Sequence, residues 1–416
     1  MNIQNKIIQE VLHTAVISSS ILIYFSSRVD PNFFKLVFVF FFSIVLIFKV
    51  RDGFNFSSGF VFFNFFVLFN VIFISDQYFS NIKTLAYFSI IYCSYYYYFE
   101  KQDLVAIINC YFNIAYFVSL VGIAQELLFL IDSEFLFYLS KGKNPDFWHF
   151  QDLKILRIAS LLDEPSRLGM YILPAILLGF AKHYFRGMLY KANFFKLIII
   201  FTAFILTFSA HAFLSLIISI LIVITFSNKV SKLKKYVAFT IFMSVFPFIL
   251  SQDAVSEKLI NSGLFFNELD LSSSTIATSS LFYIGAKSIA ETIYDFNVFG
   301  VGMGSYSDIA ESHWLKIGMI VDDDDGSTIG FARIMVEFGL IGIGLFFYFL
   351  WYCIIKSSIN HDTSSYIKTI VVINHISALF IFTNLFRMGF YINPPTILFL
   401  ALLSASILQY HKLIKI

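Results

Sequence analysis

Long runs of apolar residues with hardly a charge inside them recur along the whole 416-residue chain, and no other feature narrows its fold as much. A run of about 20 apolar residues, or slightly fewer where flanking side chains snorkel, crosses a bilayer core as a helix. Such runs cover residues 11–27, 33–48, 54–74, 84–99, 104–131 and 168–180, then 197–208, 212–226, 236–250, 334–355, 367–386 and 395–408. They predict an all-α integral membrane protein with about a dozen transmembrane helices. Charged side chains make up only 13% of the chain, about half the usual share, so there is too little polar surface to cover a soluble protein of this size. A net charge of +2 gives no case for a nucleic-acid partner. Cys93, Cys110 and Cys353 sit inside apolar runs at unpatterned spacing, which suits neither a disulfide framework nor a zinc site. Lys6 precedes the first run, but no small-residue cleavage site follows before Arg28, so a retained helix is expected there.

Short loops rich in Lys and Arg stay in the cytoplasm. One alternating set of loops holds most of them, including Lys101, Lys182, Lys191, Lys196, Lys356, Lys368, Lys412 and the run 229–235. The short turns of the other set keep only Arg28, Lys35, Lys83 and Arg387. Both termini are therefore expected in the cytoplasm. The stretch 197–226 tests this topology, because a single helix there would turn the basic run 229–235 outward. Two short helices meeting near Ser209, Ala210 and His211 are expected instead, either lining an enclosed cavity or forming a tilted hairpin with a polar turn. Residues 132–167 and 251–333 become two long outer segments of one polytopic domain spanning 1–416. The Phe, Tyr and Leu residues within 281–299 suggest a helix in the second, lying on the membrane.

Two constellations carry residues suited to chemistry. The first is Arg157-Ile-Ala-Ser-Leu-Leu-Asp-Glu164-Pro165-Ser166-Arg167-Leu-Gly169, leading into the run at 168 from outside. Proline at a helix start leaves outward-facing backbone N–H groups, two guanidiniums can fork onto phosphate oxygens, and Glu164 can take a proton from a sugar hydroxyl. The same residues admit a structural reading, in which Asp163 or Ser160 caps the helix and the arginines anchor it to headgroups. The second is Phe299-Gly300-Val-Gly302-Met-Gly304-Ser-Tyr306, followed by His313, by Asp322 to Asp325, and by Arg333-Ile-Met-Val-Glu337-Phe-Gly339-Leu-Ile-Gly342. Its glycines follow no strand and have no acidic ribose partner, which argues against a nucleotide fold. Four adjacent aspartates are most often simply solvated, and no ligand spacing surrounds them, so no metal is expected. Gln125-Glu126 lies at the outer end of the run 104–131, where an ionisable residue is either functional or within reach of the interface. Arg387 is a phosphate-clamp candidate or an interfacial anchor. No role attaches to His211, and His13 and His375 form no i, i+4 pair, so a metalloprotease has no support.

In both constellations the chain resembles the bacterial O-antigen polymerase/ligase family. Its members show an Arg, an apolar stretch, a Glu-Pro-Ser or Asn-Pro element and a small residue opening a helix. Further on they have a Gly-x-Gly turn, a variable stretch, and a helix opening with a Glu, a Gly and a Leu-Ile-Gly run. Gly122-Ile-Ala-Gln125 is similar to a Gly-x-x-Gln element of the family, and the likeness runs in order from about 104 to 342. Ligases carry a His shortly before the Glu of the second element, where this chain has Ser327 and Thr328, which favours the polymerase half.

The resemblance implies a C-type glycosyltransferase-like fold, with two longer periplasmic segments, in the bacterial inner (cytoplasmic) membrane. It implies an O-antigen or polysaccharide repeat-unit polymerase using a glycan donor carried on undecaprenyl diphosphate, with no cofactor and no metal. Glu164 or His313 would act as base, Arg157 and Arg167 would stabilise the leaving diphosphate, and Arg333, Arg387, Gln125 and Glu337 would bind substrate. Membrane lipids and a chain-length regulator are the implied partners besides the lipid-linked oligosaccharide. The alternatives are an O-antigen ligase, moving polymer onto lipid A-core, and a polysaccharide flippase. A transporter needs charges along a path inside the bundle, whereas here the acids concentrate in the outer segments.

Overall fold

The computed structural model describes residues 3–25, 43, 58–75, 78–131, 147–150, 153–162, 164–184, 187–226, 276–306, 308–309, 330–356, 363–385 and 394–414. In chain order its elements are α1 (Ile3–Phe25), α2 (Ser58–Phe73), α3 (Tyr78–Lys101), α4 (Leu104–Leu130), β1 (Phe147–Phe150), β2 (Leu153–Leu156), α5 (Pro165–Tyr184) and α6 (Phe194–Leu206). There follow α7 (Ala210–Phe226), α8 (Ile276–Tyr294), α9 (Gly330–Cys353), α10 (Ser365–Asn384) and α11 (Pro394–Ile414). Four of these helices, α4, α9, α10 and α11, are long and apolar enough to cross a membrane, and shorter apolar helices accompany them. The chain is a helical membrane protein. Every expected apolar run falls on a described helix except 33–48, of which only Ser43 is described, and 236–250, which lies outside the described residues.

One departure from the all-α expectation stands among the described residues. Within the segment 132–167, β1 and β2 form an antiparallel hairpin in which Phe147 pairs with Leu156 and Phe150 with Leu153.

Hydrogen bonds and close contacts sort the helix ends into two sets. At one end, Asp103 caps α4, Asn193 caps α6 and Ser364 caps α10, each side chain satisfying a backbone N–H of the first turn. There Gln409 reaches the carbonyls of Phe99 and Gln102 from α11, Lys412 pairs with Glu100 at 3.0 Å, and Leu189 N–H donates to Thr369. Lys101, Lys182, Lys191, Lys196 and Lys368 belong to this lysine-rich end. At the opposite end lie the start of α5, the junction of α6 with α7, and the start of α9, whose Phe331 N–H donates to Leu385 O at 2.8 Å.

The two short helices expected over 197–226 are α6 and α7. The chain turns between them, so that the rings of Phe204 and Phe213 meet at 5.2 Å across the turn, where Phe208 adopts a positive φ of 43°. Inside the bundle, several polar groups are matched across helices, which lowers the cost of keeping them out of water. Along α3, the hydroxyls of Tyr92, Tyr95 and Tyr98 bond to Ser404, Ser19 and His13 at 2.6–2.8 Å.

Candidate functional site

Residues 156–169 connect the β-hairpin to α5 and carry the first constellation. Ser160 sits in the left-handed backbone region at φ 57°, a conformation that costs free energy for a non-glycine residue. It persists because its backbone is clamped. Gln125 Nε2 donates to Ser160 O at 3.0 Å, Ser160 N donates to Gln125 Oε1 at 2.8 Å, and Ser160 Oγ donates to Val118 O at 2.6 Å. Gln125 is buried, so its amide serves as a brace for the loop from α4. The neighbouring Glu126 is 8% exposed, and its Oε2 has no hydrogen-bond partner among the described residues.

The other side of the loop rests on the α6–α7 junction. Ile158 N–H donates to Leu206 O at 3.2 Å, and Arg157 Nε approaches Thr207 O at 3.4 Å. A Cβ built on Gly169 would lie 2.6 Å from the Cβ of Ala212 and 3.3 Å from Thr207 Oγ1, so the first turn of α5 also packs against this junction. Arg157 and the first turn of α5 thereby meet the same junction. Glu164 ends the loop. Its carbonyl accepts the N–H groups of Arg167 and Leu168, and its carboxylate Oε2 accepts Ser166 Oγ at 3.0 Å. Arg157, Glu164 and Arg167 are all half-buried.

The second constellation closes on itself. α9 is broken at Gly339, with φ 67° and ψ −166°, which frees backbone groups that must find partners elsewhere. Residues 298–304 supply them. Val301 N donates to Val336 O at 3.0 Å, Gly302 N to Glu337 O at 3.1 Å, and Ile341 N to Val298 O at 3.1 Å. Two glycines make the approach possible: a Cβ on Gly300 would meet Glu337 O at 2.3 Å, and one on Gly339 would meet Gly300 N and Val298 O at 2.4 Å. Asn70 of α2 ties the halves together, donating to Phe299 O and Glu337 O and accepting Met303 N, each at 3.0 Å. Asn81 and Ser75 hold Met303 O from below.

In this knot Arg333 and Glu337, one helical turn apart, form an ion pair at 2.8 Å with side-chain exposures of 9% and 0%. Burial pushes the phenol of Tyr306 up to about 12, so it remains a neutral hydroxyl beside the pair. His313, Arg387, Asp163 and the Asp322 to Asp325 run lie outside the described residues. Among the described residues, no group of His, Cys, Asp and Glu is arranged to hold a metal ion. Asn70 and Asn81 were not singled out from the sequence. Their signal was present, since an Asn in a Phe-rich helix is costly unless it has partners. No protein-family model matches the chain, and no curated protein or solved structure matches it significantly.

Proposed function

We propose that the chain is a polysaccharide polymerase. It transfers a glycan chain from undecaprenyl diphosphate to a lipid-linked repeat unit at the outer, periplasmic face of a bacterial inner membrane, within about a dozen spanning helices. In this reading the bundle is of the C-type glycosyltransferase kind, and both termini are cytoplasmic. The acceptor hydroxyl oxygen bonds to the anomeric carbon as the bond from that carbon to the diphosphate oxygen breaks. Glu164 takes the hydroxyl proton, and Arg157 and Arg167 neutralise the charge that grows on the departing diphosphate, an effect enlarged where water is scarce. The donor already carries an activated leaving group, so no nucleotide or metal is needed.

One observation carries the reading. Arg157 and the turn bearing Glu164 and Arg167 converge on the α6–α7 junction, at the bundle end opposite the lysines. Two guanidiniums and a carboxylate on a braced loop suit a diphosphate and a hydroxyl.

The test is complementation of a deletion strain by Arg157→Ala and Arg167→Ala, with insertion checked by immunoblot. Glycan reduced to a single repeat unit on its acceptor is expected. Full-length glycan from both variants would sink the assignment. In the deletion strain itself, a bare acceptor with accumulated lipid-linked polymer would mark a ligase, and repeat units trapped inside the cell would mark a flippase.

A further inference from the structure

A cleft of about 580 Å³ opens at the lysine-rich end, between the last turns of α9 and α11 and far from the first constellation. Tyr348, Trp351, Tyr352, Lys356, Tyr410 and His411 are among its lining residues, and among the described residues no carboxylate lines it. Trp351 is 61% exposed, Tyr348 51% and Tyr352 45%, on a helix apolar enough to cross a membrane. Exposed Trp and Tyr beside a lysine at the end of such a helix are the side chains that settle at the headgroup level of a bilayer.

Lys356 is prepared for an anion. Lys356 Nζ is held 4.6 Å over the Trp351 ring, which fixes the ammonium without neutralising it. Two helix C-termini meet here, and their carbonyls would ordinarily repel an anion. At α9 this repulsion is blunted: Asn374 Nδ2 caps Cys353 O at 2.9 Å, and His375 Nε2 reaches Ile355 O at 2.9 Å. Ile355 N–H in turn donates to Asn374 Oδ1 at 2.9 Å, so the backbone immediately before Lys356 is pinned. Lys412, next to His411, is already paired with Glu100.

We propose that this cleft binds the phosphate headgroup of an anionic membrane phospholipid between Lys356 and His411, with the acyl chains lying along the exposed aromatic face of α9. A basic, aromatic-walled pocket between spanning helices fits such a headgroup, and the membrane supplies it from the side. The site is independent of the polymerase reading.

Fluorescence quenching by brominated lipids tests it. The chain has three tryptophans, so Trp148→Phe/Trp314→Phe leaves Trp351 as the reporter. In mixed vesicles, brominated phosphatidylglycerol should quench Trp351 with a binding constant about fivefold that of phosphatidylcholine, the share of one engaged lysine. Lys356→Gln/His411→Asn should bring the ratio near one, while Lys412→Gln leaves it unchanged. Equal quenching by the two lipids, or a preference that survives Lys356→Gln/His411→Asn, overturns the proposal. So does a preference abolished by millimolar inorganic phosphate, which would assign the cleft to a soluble anion. Native mass spectrometry of the unsubstituted protein gives a check free of folding effects. Retention of phosphatidylglycerol over phosphatidylcholine is expected, and equal retention overturns the proposal as well.

Discussion

The loop at 156–169 and the knot formed by 298–304 with α9 are built in opposite ways. The loop is held by side chains reaching to backbone, chiefly Gln125 onto Ser160, and its charged residues Arg157, Glu164 and Arg167 remain half-buried. The knot is held backbone to backbone through glycines, and its charged residues Arg333 and Glu337 are spent on each other in the interior. Both regions have the residue types of a phosphate-binding site. Only the loop keeps its charges near the surface while bracing their backbone, which is what differential stabilisation of a reacting group asks for. The knot reads as the frame against which the loop is set.

The sharpest way to break this contrast is to attack the frame. Gly339→Ala puts a methyl 2.4 Å from two backbone atoms at a positive φ, and a loss of roughly 4 kcal/mol or more is expected. The readout is the yield and thermal unfolding of detergent-solubilised protein. Glu337→Ala strands a buried guanidinium and should cost about 3–5 kcal/mol, whereas the paired change Arg333→Met/Glu337→Leu should recover most of that stability. The paired variant also separates two roles for Arg333. Full-length glycan from a stable paired variant fits a frame, and a stable protein that makes none returns Arg333 to the substrate.

Smaller effects are expected in the loop. Gln125→Leu leaves the Ser160 N–H and carbonyl buried without that partner and should cost about 2 kcal/mol by thermal unfolding. Arg157→Ala should change stability by less than about 1 kcal/mol, as expected of a half-buried side chain outside the core, while abolishing polymer on a glycan gel. A large stability loss with normal polymer would invert the comparison.

The helices were legible because apolar runs in a membrane protein have few competing structures. The turn between α6 and α7 was legible for an electrostatic reason: a single helix over 197–226 would set the basic run 229–235 against the charge rule. The hairpin of β1 and β2 was not, because Phe147–Phe150 and Leu153–Leu156 are too short for alternation to register, and no Gly or Asn marks the turn. In the candidate site, the glycines and charges were visible but their pairing was not. The i, i+4 spacing of Arg333 and Glu337 permits an ion pair as readily as a shared ligand, and only burial decides between them. Gln125 was noticed as a polar residue within an apolar run, yet its attachment to Ser160, 35 residues away, depends on a loop path that no periodicity encodes.

The break in α9 also governs what the chain can tolerate elsewhere. Residue 304 and residue 330 both belong to segments stitched to the same kink, so the stretch between them departs from and returns to anchored points. Adding residues between two fixed points of a chain raises the closure entropy only logarithmically. An epitope or fluorescent reporter spliced into that stretch is therefore expected to leave the helices assembled, making it a natural handle for finding which side of the membrane this end of the molecule faces.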